Sequence, residues 1–248
     1  MILRRLSQSL KDQNWTAIVI EFILLVGGVF LGIQVANWNA ARVDRVEYEA
    51  ALTHLGAEID TNLASLEAFD STMAPAHEKA GRALNVLQTC VESDQNREIV
   101  EVGLNIIRGT EGLRPRRNAL DDMTSNPRLL SQQTAKERKR FSELLFFYDA
   151  LQPDADFSNF NPLVSGMENN PILRIGPPIN LTRTYFGKEW PILRRNLELN
   201  VPLSEACRNN QLIKSFFNWE RRQGNMPNIA QIWRSELTAT KKLIGARR

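Results

Sequence analysis

Residues 15–38 read WTAIVIEFILLVGGVFLGIQVANW, an apolar run with Trp15 and Trp38 at its two ends. Since a helix rises about 1.5 Å per residue, the two rings would lie roughly 35 Å apart, near the two edges of a hydrocarbon layer about 30 Å thick. The run therefore predicts one transmembrane helix over 15–38. A short tail, 1–14, would precede it, and a large polar region, 39–248, would follow it.

A cleaved secretory signal is the other interpretation of this run. Its apolar part is about 20 residues long, whereas the apolar region of a signal is typically about 7–15 residues long. The small-residue stretch that follows, VANWNAA at 35–41, has large residues where cleavage requires small ones. Both features favour a retained membrane anchor.

The charges beside the run predict its orientation. Arg4, Arg5 and Lys11 precede it, and Arg42 and Arg45 follow it. Because positive residues are retained on the cytoplasmic side, this difference favours an N-terminus in the cytoplasm. In a bacterium the span would cross the inner (cytoplasmic) membrane, and the bulk of the chain would be periplasmic.

The composition of the chain indicates a folded domain beyond the span. The 248 residues are 43% hydrophobic and 24% charged, which is typical of a chain that forms a core. The net charge of +3 argues against a nucleic-acid partner. Short basic clusters at 114–117, 136–140 and 241–248 are interpreted either as solvated helix surface or as contacts to phosphate or lipid headgroups.

Small residues form a stripe along the span. Gly28, Gly32 and Ala36 recur every four residues, and such spacing lets a second helix approach closely. We expect a helix–helix contact here, with another membrane protein or with a second copy. Glu21 lies on the same face and either pairs with a partner helix or is an acid tolerated near the interface.

The span also carries a resemblance. Residues 20–39, IEFILLVGGVFLGIQVANWN, contain Glu21 and Gln34 and end in Asn-Trp-Asn. This string resembles a bacterial family of uncharacterised single-span membrane proteins, whose pattern has a glutamate, aliphatic residues with glycine, a glutamine and a closing Asn-Trp-Asn. Residues 113–148 and the helical pair from about Cys207 are similar more loosely. The resemblance implies a single-span architecture and no established activity.

The spacing of apolar residues after the span predicts an all-α fold, a helical bundle continuing from the transmembrane helix. One seam steps alternately by three and four residues and has a single polar member, Asn62. Either it forms a coiled-coil stalk between copies, or it packs onto later helices of the same chain. The sequence at 71–75, which ends in Pro75, predicts a helix end and a restart. The seam consists of Leu52, Leu55, Ile59, Asn62, Leu66, Phe69 and Met73.

Residues 152–187 are rich in proline, asparagine and glycine, and we expect an irregular segment there. A segment of this length is either a loop that binds or shields a partner, or a packed or disordered connection. Helices are expected to resume at 190–200, 203–222 and 228–244.

Two cysteines, Cys90 and Cys207, are separated by 117 positions. In an oxidising compartment they would form one long-range disulfide. Otherwise they are two buried thiols that behave as small hydrophobic residues.

The sequence contains no HExxH, P-loop, GxGxxG or GxSxG motif. His54 and His77 are isolated, and the acids at 121–122 and 154–156 are typical of helix caps. We therefore expect no enzymatic activity, no cofactor and no metal. The favoured function is an accessory or scaffolding subunit that associates, in the lipid bilayer, with other membrane proteins or with itself. The alternative is a periplasmic ligand-binding or sensory domain that signals through a partner.

Overall fold

The first helix, α1 (Trp15–Thr89), is 75 residues long and joins the apolar run to the rest of the fold without a break. Its length is roughly 110 Å at about 1.5 Å per residue. Its apolar part is long enough to cross a membrane, and none of its 18-residue apolar window is buried. This computed structural model describes residues 15–159, 167, 169–185 and 188–247, with only the backbone described at 15–19, 21, 159 and 183–185.

Pro75 lies inside α1, so the predicted helix end at 71–75 is wrong. A proline in a helix interior removes one backbone hydrogen bond and costs about 3 kcal/mol. Met73 before it and Ala80 after it are both buried, at 3% and 0% exposure. Because both sides of the proline pack into one core, burial offsets this cost and the helix continues.

The seam predicted along α1 is buried within one chain. All seven of its side chains are 7% exposed or less, and the surface that covers them comes from later helices of the same chain. The seam therefore packs onto later helices of the same chain, and it offers no coiled-coil surface to another copy. Asn62 donates to the carbonyl oxygen of Arg116 at 2.7 Å and to the hydroxyl of Tyr148 at 2.9 Å, and it accepts from the N–H of Arg116 at 2.8 Å.

Shorter helices surround the buried part of α1. Asn126 caps one of them by accepting from the N–H of Arg128 at 3.1 Å. At another, Thr134 and Glu137 cap each other, with 2.7 and 3.2 Å between their donors and acceptors. These helices are α2 (Asp94–Ile107), α3 (Asn118–Ser125), α4 (Pro127–Gln132), α5 (Ala135–Asn159), α6 (Leu203–Ala206), α7 (Asn210–Gln223) and α8 (Met226–Gly245).

An antiparallel hairpin of β1 (Leu173–Tyr185) and β2 (Lys188–Leu199) lies between α5 and α6. The predicted helix over 190–200 is therefore wrong, because β2 occupies this range up to Leu199. The predicted irregular segment over 152–187 is wrong in part, because α5 extends to Asn159 and β1 begins at Leu173. Prolines argued against regular structure, but both strands of a two-stranded sheet are edges, where proline is tolerated. The register also shifts between Ile175 and Pro178, where a proline pair enters the strand.

The fold is mostly helical, with 75% helix and 10% strand. Helices α2, α3, α4 and α8 pack on α1, and α5 packs on α8. The largest buried side chains include Trp233, Tyr48, Phe141 and Phe216. The core begins at Tyr48, ten residues after Trp38, which corresponds to about 15 Å along the helix.

Candidate functional site: a helix face and a hairpin arm

The small-residue stripe of the apolar run has no partner among the described residues. A Cβ atom added at Gly28 or Gly32 would meet no atom within 4 Å. Trp38 is 69% exposed. The side chains of Glu21 and Trp15 lie outside the described residues, so their predicted roles stay predictions. The stripe is thus an open helix face that a second helix can approach.

The same helix face continues beyond the apolar run. At 100° per residue, Val46 lies directly in line with Gly28, and Val43 lies about 20° from Gly32. Both valines are exposed, at 53% for Val43 and 66% for Val46. The sequence pattern did not indicate this extension, because the stripe was recognised by its small residues and the valines are not small residues. One exposed helix face therefore extends from inside the apolar run to the start of the core, with Asn39, about 20° from Gly28, as a polar member between its small residues and the valines.

The hairpin is attached to α2 by its base. Leu197 and Leu199 are buried, at 3% and 1% exposure. Asn105 exchanges two hydrogen bonds of 2.9 Å with the backbone of Leu197, and Glu101 accepts from the N–H of Leu199 at 3.1 Å. Arg97 donates to the carbonyl oxygens of Leu199 and Val201. These bonds fix the direction in which the hairpin leaves the bundle.

The outer half of the hairpin is an exposed arm. Leu181 is 37% exposed, Trp190 53% and Leu193 70%. Two paired strands without further cover are only marginally stable in water, and unpaired strand edges accept further strands. The arm is therefore the second surface of the described chain that is suited to a protein contact.

A disulfide joins Cys90 and Cys207, whose Cα atoms lie 5.7 Å apart. Close to it, Glu92 accepts from the N–H groups of Leu203 at 3.1 Å and Ser204 at 2.8 Å. The hydrogen bond from the backbone of Ser204 is the main cause that lowers the pKa of Glu92. The disulfide and the two hydrogen bonds of Glu92 together attach the start of α6 to the end of α1.

The isolated histidines and Asp121 lie at the surface or in ordinary structural contacts. His54 is exposed. His77 lies 5.0 Å from Trp219, ring centre to ring centre, and burial lowers the pKa of its imidazole. Asp121 pairs with Arg117 at 3.0 Å, and no group of three or more His, Cys, Asp or Glu side chains among the described residues is placed to hold a metal ion.

Comparison with known proteins found no match to this chain among family models, curated proteins or solved structures.

Proposed function

We propose that the protein is a membrane-anchored accessory or scaffolding subunit that associates with other membrane proteins through its span and its helical domain. The observation that carries this proposal is the open face on α1, which includes Gly28, Gly32, Val43 and Val46. Between helices in lipid, close packing over small residues is a main source of association energy. The exposed valines extend the same contact into the aqueous region.

The proposed location is the bacterial inner membrane, with the N-terminus in the cytoplasm and the helical domain in the periplasm. Three basic residues before the span and two close after it support this orientation. The disulfide between Cys90 and Cys207 also favours it, because such bonds persist in oxidising compartments and are rare in the cytosol. The resemblance to a bacterial single-span family agrees with this location.

The hairpin arm offers the helical domain a contact of its own. Trp190 and Leu193 are exposed, and large apolar side chains of this kind are typical of protein contact surfaces. In this proposal the span selects a partner in the membrane and the arm adds a contact outside it.

A sensory domain that signals through a partner is the second candidate, and the continuity of α1 favours it. The helix that carries the core from Tyr48 onward is the same helix that forms the apolar run. A displacement of the domain would therefore move the span as one body. A ligand that alters the size of the native complex would favour this candidate.

The test compares Gly32→Leu with Gly27→Leu in full-length protein extracted in a mild detergent. Gly32 lies on the open face, whereas Gly27 lies about 140° away at 100° per residue. Neither position has an atom within 4 Å of an added Cβ. We expect the wild-type protein to migrate in an assembly heavier than the 28.2 kDa chain. Gly32→Leu should release the single chain, and Gly27→Leu should leave the assembly intact.

Two results would contradict the proposal. Wild-type protein that is monomeric in every mild detergent has no stable partner. An assembly that survives Gly32→Leu and Gly28→Leu together does not use this helix face. Resistance of the protein to extraction by alkaline carbonate checks the membrane anchoring separately.

A further inference from the structure

Two basic clusters that are far apart in the sequence meet on one surface of the fold. One cluster, 136–140, occupies the first turns of α5, and the other, 241–247, occupies the end of α8. The two helices pack side by side, and an open groove of about 370 Å³ lies between them. We call this the basic groove. Its charged lining residues are Lys136, Lys139, Arg140, Glu143 and Lys242.

The basic groove contains an arginine that is already held in position. The Arg140 side chain is 17% exposed. It donates to the hydroxyl of Thr240 at 3.1 Å and pairs with Glu236. It also lies 3.4 Å from Glu143. A guanidinium fixed in this way loses little side-chain entropy when an anion binds beside it.

Two lysines of the basic groove have charges that no carboxylate neutralises. Lys136 and Lys242 are exposed and form no ion pair with any described residue. Lys139 has only Glu143, at 3.7 Å, and that lysine is 78% exposed. The groove lining thus has four cationic side chains and one carboxylate. When Glu236, the partner of Arg140, is included, an excess of two positive charges remains within a concave surface. Such a surface raises the local concentration of anions.

The basic groove lies at the end of the domain nearest the span. Lys136 adjoins Glu137, which pairs with Arg247, and Arg247 lies over the ring of Tyr48. Tyr48 is about 15 Å along the helix from Trp38. The headgroup layer extends about 5–8 Å beyond the hydrocarbon. With the proposed anchoring, the remaining gap at Tyr48 is close to the Debye length of about 8 Å at physiological salt, so the charge of a membrane surface would act on this end of the domain.

We propose that the basic groove binds a phosphate group. The ammonium groups of Lys136 and Lys242 donate the charge-assisted hydrogen bonds that phosphate oxygens accept, and Arg140, whose three nitrogen atoms already have protein partners, is a fixed positive charge beside them. The phosphate belongs either to the headgroup of an anionic phospholipid or to a soluble phosphate. The lipid source rests on the proposed membrane anchoring, whereas the affinity of the groove for phosphate does not.

The test is calorimetric titration of full-length protein in an uncharged detergent. The probes are inorganic phosphate, a short-chain phosphatidylglycerol and a short-chain phosphatidylcholine, whose choline cancels the phosphate charge. The groove variant is Lys136→Gln with Lys242→Gln. The matched control is Lys79→Gln with Lys214→Gln, which removes the same charge from exposed positions elsewhere.

We expect phosphatidylglycerol to bind more tightly than phosphatidylcholine, and the groove variant to weaken that binding by at least about tenfold. The control variant should bind like the wild type. If phosphatidylglycerol binds and inorganic phosphate does not, the phosphate belongs to a lipid headgroup. If inorganic phosphate binds and phosphatidylglycerol does not, the phosphate is a soluble one. No binding of either probe, or equal affinity in the two variants, overturns the proposal. Because the assay needs no bilayer, its result is independent of whether the span crosses a membrane.

Discussion

The guanidinium of Arg247 lies 4.8 Å from the centre of the Tyr48 ring. Tyr48 is fully buried and is the first core residue after the apolar run, while Arg247 lies just beyond the end of α8. Arg247 also pairs with Glu137, at the start of α5, and with Glu49 at 3.6 Å. The end of the described chain therefore closes the bundle at the point where α1 enters it.

Replacement of this arginine should open that end of the bundle. Arg247→Met keeps the length of the side chain but leaves Glu137, whose side chain is 8% exposed, without its cation. We expect a loss of about 1–3 kcal/mol in the free energy of unfolding. The measurement is chemical denaturation in detergent, monitored by tryptophan fluorescence.

Arg82→Met is the matched control for this substitution. Arg82 and Glu78 form a surface pair, with side chains 56% and 68% exposed, and such pairs contribute little. The control should lose less than about 0.5 kcal/mol. Equal losses in both variants would show that Arg247 is an ordinary surface residue.

The charge of Glu137 should make stability depend on acidity. Burial acts to raise the pKa of Glu137, but hydrogen bonds from Thr134 and the cation of Arg247 outweigh it and hold the pKa below its usual value. The unfolded chain then takes up the proton more readily than the folded chain. The stability from this group is therefore complete above about pH 4.5 and is lost as the pH falls further.

Glu137→Gln removes this dependence. We expect the variant to be about 1–2 kcal/mol less stable than the wild type at pH 7, and the difference to shrink as the pH falls to 3.5. Chemical denaturation of both proteins at pH 7 and at pH 3.5 measures this difference in stability. The exposed Glu98→Gln is the control. A difference that stays constant between the two pH values would mean that the ionised carboxylate does not contribute.

The sequence predicted the helices because their signals are local and repeated. Apolar spacing identified the seam of α1, whose members are all buried in the structure. The hairpin was missed because its register depends on contacts of β2 with α2, such as those of Asn105. The basic groove was also hidden, since it forms only when α5 and α8 pack together.

Asn62 tests whether the seam acts within one chain. In a coiled coil between copies, Asn62→Leu would raise stability by completing an apolar seam. Here the change would leave the N–H of Arg116 without its acceptor, and the carbonyl oxygen of Arg116 would keep only its hydrogen bond from the Tyr148 hydroxyl, at 3.2 Å. We expect a loss of about 2–3 kcal/mol. Ile59→Leu, which conserves side-chain volume, should cost less than about 1.5 kcal/mol. Stabilisation by Asn62→Leu would contradict the packing described.

Gly103 allows α2 to approach α1 closely. A Cβ atom at this position would lie 2.3 Å from that of Ala83 and 3.0 Å from the Phe216 ring. Gly103→Ala should therefore destabilise the fold by about 1–3 kcal/mol. Gly56→Ala has no atom within 4 Å of the new Cβ and should stabilise by about 0.5–1 kcal/mol. Thermal unfolding measures the change in stability of each variant. A change of the same sign in both variants would contradict the close contact at Gly103.

Cys90 combines a covalent bond with a strained backbone. Its φ of 55° is in the left-handed region, where glycine is favoured and other residues cost about 1–2 kcal/mol. Loss of the disulfide should cost about 2–4 kcal/mol, since the bond closes a long loop. Cys90→Gly with Cys207→Ala should therefore lose about 1 kcal/mol less than Cys90→Ala with Cys207→Ala. Unfolding of both variants, with wild type in the presence and absence of reductant, separates the bond from the strain. Equal losses in the two variants would mean that the strain at Cys90 is released once the bond is removed.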